Sequence, residues 1–159
     1  MRGGPHDRGN MLIVSSATGV GLWLPIIFDL LEFGVFKIEL FEGVTALVVM
    51  VCALALRIWA ALSLGKYYTT TLMITEGQKV VSTGPYYRIR HPGYLADILI
   101  WSAFGILSSN LFVAIVLPVM FVAVYLYRIS SEEKMLANEL GDSYKEYQHR
   151  TRKLIPFLY

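Results

Sequence analysis

Charge is scarce in this 159-residue chain: Asp, Glu, Lys and Arg make up 16% of it, against about 25% in an ordinary soluble domain. That deficit argues against a water-soluble globule and against a disordered segment. Cysteine is limited to Cys52, which lies inside an apolar run. One cysteine permits neither an intramolecular disulfide nor a Cys-based metal site. A Gly-x-Gly-x-x-Gly turn after a strand is missing too: Gly19-Val20-Gly21 sits in an apolar run and lacks the third glycine, which excludes a Rossmann cofactor domain. There is no internal repeat and no Pro-, Ser- or Gln-rich linker. Net charge is only +2, and neither a metal nor a nucleic-acid partner is expected.

Hydrophobic residues make up 55% of the chain, gathered in four runs: 11–28, 43–64, 93–109 and 111–127. At about 1.5 Å per helical residue, each run crosses most of a bilayer core of about 30 Å. The first follows Arg2 and Arg8 like a signal peptide, but it is long for an apolar core of that kind and no small-x-small cleavage site follows it, so it reads as a retained span. Only Asn110 separates the third and fourth runs, which predicts a tight antiparallel hairpin. The expected fold is therefore an all-α integral membrane domain of four transmembrane helices over residues 1–159.

Lys and Arg are unevenly placed. Twelve fall in the amino-terminal tail, the loop 65–92 and the segment 128–159, and one, Lys37, falls in the loop between the first two runs. The positive-inside rule then puts both termini and the loop 65–92 in the cytoplasm. Within that loop Thr69–Thr75 has strand composition, and Glu76-Gly77 offers a turn. The fourth run is expected to continue as helix through Leu140 and to stop at Gly141. Ser143-x-x-Glu146 then reads as a capping box for a last helix carrying Tyr144 and Tyr147 on one face, ending near Pro156.

Three groups of residues carry chemistry. In Arg90-His91-Pro92-Gly93-Tyr94, Pro92 suits the first turn of a helix, and the amides after it could receive an acceptor group, with Gly93 allowing close approach. The plain alternative is a helix start with an interfacial histidine and an aromatic-belt tyrosine. Arg128 and Glu132, four apart, project from one helix face, either as a functional couple or as a surface ion pair worth about 0.3–0.5 kcal/mol. Glu133 points away from that face and reads as solvated. Arg57 and Asp97 lie within spans; Arg57 either snorkels to the interface or pairs with Asp97.

The ordered set Gly84-Pro85-Tyr86, Arg90-His91-Pro92-x-Tyr94, Arg128-x-x-x-Glu132-Glu133, Leu140-Gly141-x-x-Tyr144-x-x-Tyr147 and Pro156 resembles the isoprenylcysteine carboxyl methyltransferase family, itself similar to phospholipid N-methyltransferases. The likeness runs from about Leu64 to Pro156. It implies S-adenosylmethionine as methyl donor, with S-adenosylhomocysteine as product, and an amphiphilic or lipidated acceptor reached from the bilayer. By position, it implies that Gln78, Lys79, Val80 and Val81 line the cofactor, that Tyr86, His91, Pro92, Gly93 and Tyr94 cradle it, that Glu132 binds its amino group, and that Arg128 orients the acceptor. Gln78 and Val80 depart from the His and Leu common in the family. The rival readings are a membrane reductase using a nicotinamide cofactor, whose carboxy-terminal pattern is similar, and a non-catalytic membrane protein. Because a carboxylate acceptor is ionised at neutral pH and needs no general base, carboxyl methylation is favoured over amine methylation.

Overall fold

A computed structural model describes residues 5–69 and 77–155, with side chains from Gly9 onward. It contains α1 (Pro5–Leu30), α2 (Leu40–Leu64), α3 (Pro92–Leu107), α4 (Leu111–Leu140) and α5 (Asp142–Arg150), with short 3-10 turns at Gly65–Tyr67 and Gly84–Tyr87. Among the described residues there is no strand, only isolated bridges. The threonine-rich stretch read as a strand lies, apart from Thr69, outside the described residues, as do Pro156 and Arg2.

Helices α1, α2 and α4 each contain a stretch long and apolar enough to cross a bilayer, whereas α3 is a shorter apolar helix of 16 residues, about 24 Å long. They expose many large apolar side chains: Trp23, Leu30, Phe41, Leu62 and Val119 are all more than half exposed. Water would not tolerate so much contiguous apolar surface; lipid does. The chain is an integral membrane protein.

Packing is set by small residues. The buried residues of α2 are Ala46, Ala53 and Ala60, seven apart, and α2 lies along α3. In a bilayer, where apolar side chains gain nothing by leaving lipid, such close-approach stripes are what hold helices together. Gly105 of α3 serves the same end against α4, since a Cβ there would stand 3.0 Å from the Val113 carbonyl oxygen. Val113, Leu117, Phe121 and Tyr125, spaced four apart, form the buried face of α4. Trp101 stacks on Phe121 at 4.4 Å between ring centres.

The connection between α3 and α4 is Ser108–Asn110, longer than the single Asn110 expected, because α3 ends two residues early and Ser109 adopts a positive φ of 54°. Asn110 is buried and caps α4: its Oδ1 accepts the amides of Phe112 and Val113 at 3.0 and 3.2 Å, while its Nδ2 donates to the Phe33 carbonyl at 2.7 Å. That last bond ties the loop after α1 to this turn.

Helix α4 runs to Leu140 and ends at Gly141, with φ 58°, as expected. The capping box does not form. Helix α5 starts two residues earlier than that box would set it, at Asp142, with Gly141 as its cap, and the Ser143 hydroxyl donates back to the Leu140 carbonyl.

Candidate active site

Arg90, His91 and the start of α3 meet the end of α4 and the chain after α5 at one end of the helices. The backbone there is stitched by a parallel bridge between Ile89 and Arg152. The amides of Arg90 and His91 donate to the carbonyls of Arg152 and Lys153 at 2.8 and 3.0 Å. Arg90 adds a side-chain clamp: Nε donates to Glu133 Oε1 at 2.6 Å, and Nη1 donates to the carbonyls of Thr151 and Gln148 at 2.7 and 3.1 Å. Its side chain and that of Glu133 are both about nine-tenths buried. Glu133 is therefore not the solvated residue expected; it anchors the loop, the histidine and the carboxy-terminal segment to α4.

His91 lies between two carboxylates. Its Nε2 is 3.3 Å from Glu133 Oε1 and its Nδ1 is 3.8 Å from Glu132 Oε2. Both ring nitrogens thus face acidic groups rather than open space. Tyr94 stacks between His91 and Tyr125, at ring-centre distances of 5.5 and 5.0 Å. The Tyr94 hydroxyl donates to Glu132 Oε2 at 2.6 Å and accepts from Arg128 Nε at 2.8 Å. Arg128 and Glu132 do share a helix face, but Tyr94 mediates between them. Because its hydroxyl hydrogen is already given to Glu132, the oxygen can only accept from Arg128, and this fixes the direction of the relay.

A cleft, open to solvent at its mouth, lies beside this relay. Gln78, Lys79, Val80, Val81, Tyr86, His91, Gly93, Tyr94 and Glu132 all line it. Pro92 and Arg128 are not part of the lining. Pro92 is buried as the first residue of α3, and buried Arg128 stands behind Tyr94.

Two expectations at the helix start need correction. The amides of Tyr94 and Leu95 donate to the His91 carbonyl, both at 3.1 Å, so they do not await a ligand. Gly93 makes room chiefly for a side chain: a Cβ there would fall 2.6 Å from Arg57 Nη1. Arg57 in turn pairs with Asp97, Nε to Oδ1 at 3.1 Å, which settles the choice between snorkelling and pairing.

The motif reading left out several lining residues: Arg57, Tyr67, Tyr68, and the face of Met135, Leu136 and Leu140 that continues from Glu132. The spacing from Glu132 along α4 was the available signal for that apolar wall. Tyr144 and Tyr147, noted only as sharing a face, complete the far side, and the Tyr147 hydroxyl donates to the Tyr86 carbonyl at 2.7 Å. Burial, with Glu132 nearby, pushes the Tyr86 hydroxyl well above its usual range. Burial does the same to Tyr144, next to Glu133, and to Tyr147. All three are neutral hydroxyls at physiological pH. Among the described residues, no cluster of His, Cys, Asp and Glu could hold a metal.

Known proteins resemble this chain in sequence, and one in fold. The chain is 31% identical over 102 residues to the cobalt-zinc-cadmium resistance protein CzcN of Cupriavidus metallidurans, covering 64% of this chain and 43% of that protein. It is 25% identical over 163 residues to a probable protein-S-isoprenylcysteine O-methyltransferase of Oryza sativa subsp. indica, covering 96% of this chain and 85% of the relative. It superposes on a solved structure of the eukaryotic intramembrane Ras methyltransferase, isoprenylcysteine carboxyl methyltransferase, with a TM-score of 0.65 at 22% identity, over 96% of this chain and 54% of that one. Apart from the rice protein, the chain spans about half the length of these relatives. A family model matches residues 45–138, from α2 through the helix that carries Arg128, Glu132 and Glu133, and the chain belongs to the isoprenylcysteine carboxyl methyltransferase family.

Proposed function

We propose that this protein is an S-adenosylmethionine-dependent methyltransferase that esterifies the carboxylate of an amphiphilic, isoprenoid-linked acceptor. The carrying observation is the Glu132 carboxylate, set in the wall of the cleft and oriented by Tyr94 and Arg128 in a chain of this family. The lining suits the cofactor's chemistry. Glu132 is a carboxylate for an ammonium group, and Leu64, Met135, Leu136 and Leu140 provide an apolar bed for a nucleoside. When bound, the cofactor supplies an activated methyl group, so the protein's task is alignment and exclusion of water.

Each residue's part follows from its position. Glu132 and the 78–81 segment hold the cofactor; Tyr86, His91 and Tyr94 shape its bed; Pro92 starts α3 in the required direction; Gly93 clears space. For Arg128 the family resemblance implies orientation of the acceptor, and its guanidinium also fixes the Tyr94 hydroxyl that holds Glu132. The state of His91 favours a carboxylate acceptor. An amine needs a base to take its proton, and both nitrogens of His91 already face Glu132 and Glu133.

The membrane arrangement belongs to the same proposal. Helix α3, shorter than the others, is the third of four spans and forms a hairpin with α4, and the Lys/Arg asymmetry directs the cleft to the cytoplasm. In a Cys52→Ser background, a cysteine replacing Lys145 is labelled from the cytoplasmic side and one replacing Glu39 from the other.

The decisive experiment mixes detergent-purified protein with methyl-labelled cofactor and an S-prenylated N-acetylcysteine. Label appears as a base-labile ester, and S-adenosylhomocysteine binds at equilibrium while NADPH does not. Binding of NADPH in its place would favour the reductase reading, and binding of neither would leave a non-catalytic protein.

A further inference from the structure

Two guanidinium groups, those of Arg57 and Arg90, line the cleft, and the Arg90 group is already engaged by Glu133 and by the carbonyls of Gln148 and Thr151. Arg128 is buried behind Tyr94, whereas Arg57 lines the cleft and is about one-third exposed. Arg57 emerges from α2 within the apolar part of the chain, where an ionised side chain is costly and marks function by default. A relay holds it in place. Asp97 Oδ1 engages Nε at 3.1 Å, and Asp97 Oδ2 accepts from the Tyr125 hydroxyl at 2.9 Å. Tyr68 lies against the guanidinium, 5.9 Å from ring centre to Cζ. The Nη1 amino group passes the glycine face of residue 93, on the wall that also carries Tyr94.

Arginine presents five donors in a planar fork. With Nε turned to Asp97, the remaining edge can grip a second carboxylate through two parallel hydrogen bonds. We infer that Arg57, oriented by Asp97, is the subsite that receives the acceptor's carboxylate at the membrane-side wall of the cleft. Asp97 is a positioning residue: it touches no substrate, fixes the fork and offsets its charge while the cleft is empty. This assignment rests on the methyl-transfer reading for the acceptor's identity, and its geometry stands apart from that reading.

The test measures binding of two amphiphiles to wild-type protein in micelles, an S-prenylated N-acetylcysteine and its carboxamide, alongside S-adenosylhomocysteine binding and acceptor turnover. Wild type should prefer the carboxylate by tenfold or more. Arg57→Gln should bring that preference to within twofold and raise the acceptor KM at least tenfold, with S-adenosylhomocysteine affinity changed less than twofold. Arg57→Lys retains charge without the fork, so it should recover part of the preference; retained cofactor affinity shows that each variant is folded. Asp97→Asn should raise KM less than Arg57→Gln does. Equal binding of carboxylate and carboxamide by wild type would overturn the subsite, as would an unchanged preference in folded Arg57→Lys and Arg57→Gln. A preference that Arg57→Gln abolishes, in a protein that transfers no methyl group, would keep the subsite and refute the methyl-transfer reading.

Discussion

Glu132 and Glu133 are neighbours in sequence and flank the same histidine, yet they are held in opposite ways. Successive residues on a helix point about 100° apart, enough to send Glu132 into the cleft and Glu133 into the seam between α4 and the loop that carries the histidine. Glu132 is a quarter exposed and is linked to Arg128 through the Tyr94 hydroxyl; Glu133 meets Arg90 directly at 2.6 Å, both side chains buried. A carboxylate that must accept a ligand's ammonium group is better held by a hydroxyl than neutralised by a guanidinium in contact. A carboxylate that must hold segments together benefits from the opposite arrangement. The two residues therefore separate binding from assembly.

Glu133→Ala should give the largest effect. It leaves Arg90 buried with its main ionic partner gone, a change that costs about 3–5 kcal/mol for a buried pair, and it frees His91 Nε2 as well. Thermal unfolding in detergent should show a large fall in Tm before any ligand is added. Unchanged stability would mean that the backbone bridge between Ile89 and Arg152 suffices, and the division of labour would collapse from the Glu133 side.

Glu132→Gln is the complementary change. It keeps the shape and an acceptor for Tyr94 while removing the charge. S-adenosylhomocysteine should bind more weakly by about 1.5–3 kcal/mol, the scale of a hydrogen bond to a charged group, and unfolding should barely move. If stability falls as far as in Glu133→Ala, the two carboxylates do one job.

The sequence showed one of these glutamates and misjudged the other, and the cause is the range of the interactions. Arg128 and Glu132 are one helical turn apart, so periodicity alone put them on one face. Likewise, the length of α4 and its stop at Gly141 follow from a continuous helical pattern and a glycine in a positive-φ position. The partner of Glu133 lies 43 residues away, on a loop whose path depends on a backbone bridge to Arg152. Helix-face reasoning about α4 cannot see it. Arg57 and Asp97 were legible as two costly ions within spans, and only packing of α2 on α3 could pair them. The capping box failed for a local reason: Gly141 in a positive-φ conformation already turns the chain, so α5 starts before Ser143 can cap it.

Tyr147→Phe probes the seam more gently. It deletes the 2.7 Å bond to the Tyr86 carbonyl and keeps the ring in place. A net loss of about 0.5–1.5 kcal/mol in stability is expected, with S-adenosylhomocysteine affinity falling less than in Glu132→Gln. A larger loss of affinity than of stability would move Tyr147 from the assembly side of the comparison to the binding side.

The smallest effect should come from an ion pair of the same chemistry placed in water. Glu146 and Arg150, one turn apart on α5, approach to 3.0 Å, only slightly farther than Glu133 and Arg90, but both side chains are 70% exposed. Water already solvates these charges, so their attraction is screened and ordering two long side chains offsets most of it. Arg150→Ala should cost no more than about 0.5 kcal/mol, and that remainder should vanish at about 1 M salt, where the screening length is about 3 Å. Glu133→Ala should keep nearly its full effect at the same salt concentration, because salt cannot enter the seam. Equal salt sensitivity of the two variants, measured by thermal unfolding in one detergent, would show that burial is not what separates the Arg90–Glu133 clamp from an ordinary surface pair.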